Sequence, residues 1–116
     1  MRALDVAGLF YPSEEDAALV VEELGPGSVV EAVHARWPDA EEASVDDFFA
    51  APSRGGFAAA YPENVAGFAA LRTALEAAAG PLAAFVMGEG IETHLVAGRD
   101  RDSGHVVAVV ATVVAT

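Results

Sequence analysis

Three side chains invite a test for metal chemistry: Glu92, His94 and His105. Two imidazoles and one carboxylate on neighbouring strands are the ligand set of a two-His, one-carboxylate metal site, and such a site would make the chain a metal-dependent hydrolase. No HExxH or other tight ligand spacing accompanies them, so solvated cross-strand polar residues are the plainer expectation, and no metal of the chain's own is expected. Gly88-Glu89-Gly90 has neither the lysine nor the following helix of a phosphate loop and reads as a hairpin turn. The serines (Ser13, Ser28, Ser44, Ser53 and Ser103) sit in cap or loop contexts without a GxSxG elbow. Arg99-Asp100-Arg101-Asp102 alternates in sign and is expected to pair with itself on the surface. Cysteine is absent, which removes thiol nucleophiles, thiolate metal sites and disulfides together. Nothing here amounts to an active site, and an enzyme is not expected.

Another kind of site suits these residues better. Leu9-Phe10-Tyr11-Pro12 is an apolar knot that can anchor the acidic loop Ser13-Glu14-Glu15-Asp16 next to it. A loop of this kind can offer a carboxylate to an arginine, a charge-assisted and often bidentate contact. Read blandly, it is a cap or turn with solvated acids. The chain runs out at Ala115-Thr116, directly after a Val/Ala-rich segment, so a terminal carboxylate would be presented on the end of a strand.

The elements that must hold these groups are legible in the patterning. Ala17–Leu24 is β-branched at its centre and stops at Gly25-Pro26-Gly27, which predicts a strand. Ser28 is followed by Glu31 and by Val29, Val30, Val33 and Trp37 on one face, which predicts a capped helix to Trp37. Pro38–Glu42 reads as an acidic linker. Ser44–Ala51 reads as a short helix capped by Ser44 with Phe48 and Phe49 turned inward, and 52–60 as irregular chain. From Pro62 to Ala79 a longer helix is expected, with Val65, Phe68, Leu71, Leu75 and Ala78 lining one face and Gly80-Pro81 ending it. The last third reads as a meander of Leu82–Met87, Ile91–Ala97 and Val106–Ala115, the last apolar on both faces and so expected at the sheet centre. His34 is expected at the surface. These elements predict one α/β domain over residues 1–116, with a mixed, largely antiparallel sheet between helical layers and a buried C-terminal strand.

Composition sharpens the choice of partner. Six arginines and no lysine stand against 18 acidic residues, for a net charge of −12. Direct nucleic-acid binding is therefore not expected, because that affinity rests on cations neutralising phosphates. The field favours a basic protein partner and speeds its encounter. Twelve of the acids (Asp5, Glu14, Glu15, Asp16, Glu22, Glu23, Glu31, Asp39, Glu41, Glu42, Asp46 and Asp47) fall in the first fifty residues. No basic-then-apolar leader opens the chain and no apolar run is long enough to span a bilayer, so a cytoplasmic protein without membrane association is expected.

Taken together, several stretches resemble the nuclease A inhibitor family. They are Gly8–Asp16, Val45-Asp46-Asp47-Phe48-Phe49, Tyr61 with Glu63-Asn64, Phe68 and Leu71, Gly88-Glu89, Gly104, and the ending Val113-Val114-Ala115-Thr116. The segment between Gly25 and Val45 is shorter than the family's, and alanines precede Tyr61 where the family carries an aromatic. The resemblance implies an α-β-α sandwich without a cofactor that blocks a sugar-nonspecific, Mg²⁺-dependent DNA/RNA endonuclease. It also implies a partner-binding set of Ser13, Glu14, Glu15, Ala115 and Thr116. In it, Thr116 approaches the nuclease's Mg²⁺ and Glu14 pairs with a nuclease arginine. The alternatives to inhibition are an acidic binding module for a different basic protein and, behind it, the hydrolase built on Glu92, His94 and His105.

Overall fold

Ten consecutive residues near the end of the chain, six of them valine and the rest Ala, Thr and His, form a strand that sets the architecture. This is β6, His105–Val114, in which every residue from Val106 to Ala111 is buried, whichever face it points to. A strand apolar on both faces needs cover on both sides and a partner on each edge. The computed structural model, which describes residues 9–12 and 17–114, supplies both. The remaining strands are β1 (Phe10–Tyr11), β2 (Ala17–Pro26), β3 (Glu41–Ala43), β4 (Ala83–Met87) and β5 (Ile91–Arg99). They join in the order β1-β2-β6-β5-β4-β3, with β6 and β5 in the middle. The expected meander is thus present as β4-β5-β6. Every strand pairing among the described residues is antiparallel, where a mixed, largely antiparallel sheet was expected. The reason lies in the connections: hairpins join β4 to β5 and β5 to β6, and β2 runs opposite to β6 along their whole shared length.

Helices cover the two faces. Helix α1, Val29–Arg36, is opened by Ser28, whose Oγ accepts from the Glu31 amide as the capping pattern predicts. It contributes Ala32 and Val33 to a core with Leu95, Ala97, Val106, Ala108 and Val110. Val30, expected on that inner face, is exposed, and Ala32 takes its place. Val29 and Trp37, expected on the same face, pack against this core partly buried.

On the opposite face lie α2 (Val45–Ala50), a 3₁₀ turn (Ala51–Ser53), α3 (Gly55–Ala60) and α4 (Pro62–Ala78). Ser44 caps α2 through the Asp47 amide, and Phe48 and Phe49 are buried. From α4 come Phe68, Leu71 and Leu75, packed with Leu19, Ala84, Val96, Val109 and Ala111 into the larger core. Val65 and Ala78, expected on the same face, are only half-buried. Residues 38–42 end in strand β3 instead of forming a linker throughout, and the 52–60 stretch is largely helical where irregular chain was expected. Among the described residues no helix is long and apolar enough to cross a membrane.

Candidate functional site

One end of the sheet concentrates the chain's unusual features. The β4–β5 hairpin turns there through Gly88 and Gly90, both at positive φ, and a Cβ on Gly88 would run into the Ile91 carbonyl. At the same end β6 finishes, Val114 opposite Ile91 and Val113 opposite Glu92. In the β2–β6 ladder Leu19 faces Ala111, so Ala17, two residues earlier, falls level with Val113, two residues later. Tyr11 pairs with Ala17 from the other side. Tyr11, Ala17 and Val113 are all buried and belong to one core cluster.

Strand β1 is only two residues long and is held by side chains. Phe10 pairs with Ala18, and its N–H and C=O both turn away from β2 to meet the carboxamide of Asn64 on α4. The Phe10 amide donates to Asn64 Oδ1 at 2.9 Å, and Asn64 Nδ2 donates to the Phe10 carbonyl at 3.0 Å. The amide group thus stands where the next strand of the sheet would be. Tyr11 is fixed by its ring and its hydroxyl: the ring stacks on Phe48 at 4.9 Å, and the hydroxyl donates to the Phe48 carbonyl at 2.9 Å. Burial pushes the phenol's pKa well above the ordinary tyrosine range, with the charge of Arg54 working against that rise and Asp47 adding to it.

Between β1, α2 and the strands lies a cavity of about 410 Å³. Ala84, Val86, Glu92, His94 and Val113 line it from the sheet, and Tyr11, Phe48 and Ala51 from the opposite side. Asp47 and Arg54 also line it, as an exposed ion pair at 3.4 Å. Within it, His94 Nε2 lies 2.9 Å from Glu92 Oε1. In this contact the carboxylate oxygen accepts and the imidazole N–H donates. The ring also lies 5.6 Å from that of Tyr11.

The residues expected to carry chemistry fare unequally. Ser13, Glu14, Glu15, Ala115 and Thr116 lie outside the described residues, and Pro12, Ala17 and Val114 are the positions that lead into them. Glu92 and His94 do come together. His105 does not join them: Arg99 faces Val106 while His94 faces Ala111, so His105 sits about 20 Å away along the sheet at ~3.3 Å per residue. Its ring Nδ1 instead meets the Glu23 carboxylate across the β2–β6 ladder. Among the described residues no three His, Asp or Glu side chains converge on one point, so the three-ligand set considered from the sequence is not assembled.

Two further expectations need correction. His34 is half-buried, with Nε2 2.9 Å from the Ala40 carbonyl and its ring edge-on to Phe85, so it ties the loop after α1 to the sheet. The Arg99–Asp102 run does not pair with itself. Asp100 is buried and gathers the Asp102 and Ser103 amides and the Ser103 hydroxyl, while Arg101 donates to the Glu76 and Ala77 carbonyls at the end of α4. Burial raises the Asp100 carboxyl's pKa, but these hydrogen bonds outweigh it and lower the value to about 2. Asn64 entered the sequence reading only within the Tyr61, Glu63-Asn64 stretch of the resemblance, and Arg54, a lone arginine between Ser53 and Gly55, had no signal.

No family model matches the chain, and no curated protein matches it.

Proposed function

We propose that this chain is a protein inhibitor of a Mg²⁺-dependent, sugar-nonspecific DNA/RNA endonuclease. In this reading Thr116, preceded by Ala115, enters the nuclease pocket toward its metal, and Glu14, flanked by Ser13 and Glu15, pairs with an arginine there. The observation that carries it is the placement of Tyr11, Ala17 and Val113 side by side in one core cluster at one end of the sheet. The acidic segment and the chain's last two residues are therefore reached from adjacent anchors, as a two-point plug requires. Cores on both sheet faces favour the α-β-α sandwich form of that family. The physical logic is substitution: a site shaped to hold a phosphate against Mg²⁺ and Arg accepts carboxylates that offer no bond to break. The net charge of −12 favours approach to a basic active-site face.

Titration into a nonspecific nuclease assay, with nucleases from the same source, tests this. Stoichiometric inhibition is expected, and Glu14→Ala or an extension beyond Thr116 should weaken it while leaving the thermal midpoint in place. An extended protein that inhibits as well as the native one rules out the plug.

The second reading, an acidic module for another basic protein, draws on the exposed carboxylates of Glu41, Glu42, Asp46 and Asp47, which flank β3 and α2 away from β6. Under it, a captured partner would not be a metal nuclease and binding would survive changes at Thr116.

A further inference from the structure

The sheet is longer than the helix laid across it. Helix α1 has eight residues, about 12 Å at 1.5 Å each, whereas the ten residues of β6 run about 33 Å. The core under α1 ends at the row Val110–Leu95–Phe85. Beyond that row the same face continues. Thr93 pairs with Thr112 and with Met87, Ala18 falls level with Thr112 because Leu19 faces Ala111, and Phe10 pairs with Ala18. The strand neighbours Tyr11, Ala17, Ala111 and Val113 pack into the opposite core, so this row turns to the α1 side. A last row follows, Ile91 opposite Val114. Ala18, Thr112 and Ile91 are exposed, Ile91 by 65%, and Val20 beside them by 55%. Five adjacent strands make the strip roughly 19 Å wide.

None of these residues is charged, in a chain with a net charge of −12. A flat, uncharged patch with a charged border is the usual mark of a contact with another protein. Here the border is acidic: exposed Glu42 stands level with Phe85, and exposed Glu89 lies in the turn before Ile91. The strip also adjoins the plug. Val114 leads into Ala115 and Thr116, and Phe10 and Ala18 flank the segment that carries Glu14. A molecule that takes both groups must lie over this end of the sheet. Two such contacts fall far short of the roughly 800 Å² per partner of a standard interface, and the strip adds area without desolvating a charge. A second copy is a poor occupant, because it would bring the acidic borders of two such molecules together.

We infer that this strip is the apolar core of the contact with the plug's target, seating a flat apolar patch bordered by cations. The inference rests on the inhibitor reading.

The test titrates variants of the full chain against a nonspecific nuclease from the same source. Ile91→Asp and Val20→Asp should each weaken inhibition about thirtyfold, the scale of a central apolar anchor. Ile91→Ala, which adds no charge, should weaken it about tenfold. These side chains are exposed, so the thermal midpoint should stay at the native value. Val30→Asp makes the same charge change at an exposed site near the start of α1, by the opposite end of β2, and should inhibit as the native chain does. If the Ile91 and Val20 variants inhibit like the native chain, the inference is overturned and the plug stands. Equal loss in Val30→Asp would make the effect one of charge alone and overturn it too. A native chain that inhibits no such nuclease removes the inhibitor reading, and this inference with it. A native chain that sediments as a dimer, and as a monomer after Ile91→Asp, assigns the strip to a second copy and also overturns the inference.

Discussion

Replacing Asn64 with alanine isolates the device that holds β1. The side chain is 7% exposed and its two hydrogen bonds to Phe10 are 2.9 and 3.0 Å long. Each such bond contributes about 1 kcal/mol net, and the Phe10 N–H and C=O would be left without it at a half-buried edge. A loss of about 2 kcal/mol is expected. With an unfolding entropy of roughly 2.1 cal/mol/K per residue, a chain of 116 residues has about 0.24 kcal/mol/K, so the thermal midpoint should fall by about 8 °C. Circular dichroism measures the midpoint, and amide exchange at Phe10 reports the bond directly. Asn64→Asp separates the two bonds: its carboxylate still accepts from the Phe10 amide but sets an acceptor against the Phe10 carbonyl. That variant should keep the Phe10 amide protected while remaining well below native stability. If Asn64→Ala costs less than about 0.5 kcal/mol, the range of an ordinary surface change, and Phe10 stays protected, the carboxamide is not acting as a surrogate strand.

Two further outcomes concern the interior. Asp100, with its carboxyl lowered to about 2 from an ordinary 3.8, favours the folded state above pH 4, and that contribution should drain away between about pH 4 and pH 2. Urea midpoints measured across that range should slope for the native chain and flatten for Asp100→Asn. Leu95→Ala, at a fully buried position in the α1-side core, should cost about 2–5 kcal/mol by urea denaturation. A value under about 1 kcal/mol would mean that this core is loosely packed.

How much of this was legible depended on whether the cause was local. Ser28 and Ser44 announce their helices because a cap is a bond between residues three apart, and both bonds are present. The Val106–Val114 run could only be a central strand, since no other place in a sheet hides both faces. Gly88 and Gly90 mark their turn because positive φ penalises any other residue. The failures fall where patterning carries no signal. Strand β3 carries Glu41 and Glu42 and is exposed throughout, so only its ladder with β4 makes it a strand. Helix α3 reads Gly-Gly-Phe-Ala-Ala-Ala with no side-chain cap, a weak helix former on its own. Asp100 looks like a surface charge because its partners are supplied by a turn that closes only on folding. At the candidate site the anchors were legible as an apolar knot and a valine strand, whereas the cavity was not. It requires Tyr11, Phe48 and His94, three residues from three separate segments, to meet.

The placement of β6 has a consequence for how this protein behaves in bulk. A ribbon such as Val106-Val107-Ala108-Val109-Val110-Ala111 has the composition that seeds cross-β fibres: high β-propensity, no charge and no proline. Here β2 and β5 shield it on either side, and the two short strands at the ends of the sheet are blunted. Asn64 occupies the outward groups of Phe10, and three-residue β3 bears two carboxylates. Fibre nucleation should therefore require β2 to peel away first. Colloidal lifetime would then be governed by the grip of β2 and its short neighbour β1, more than by the total free energy of unfolding.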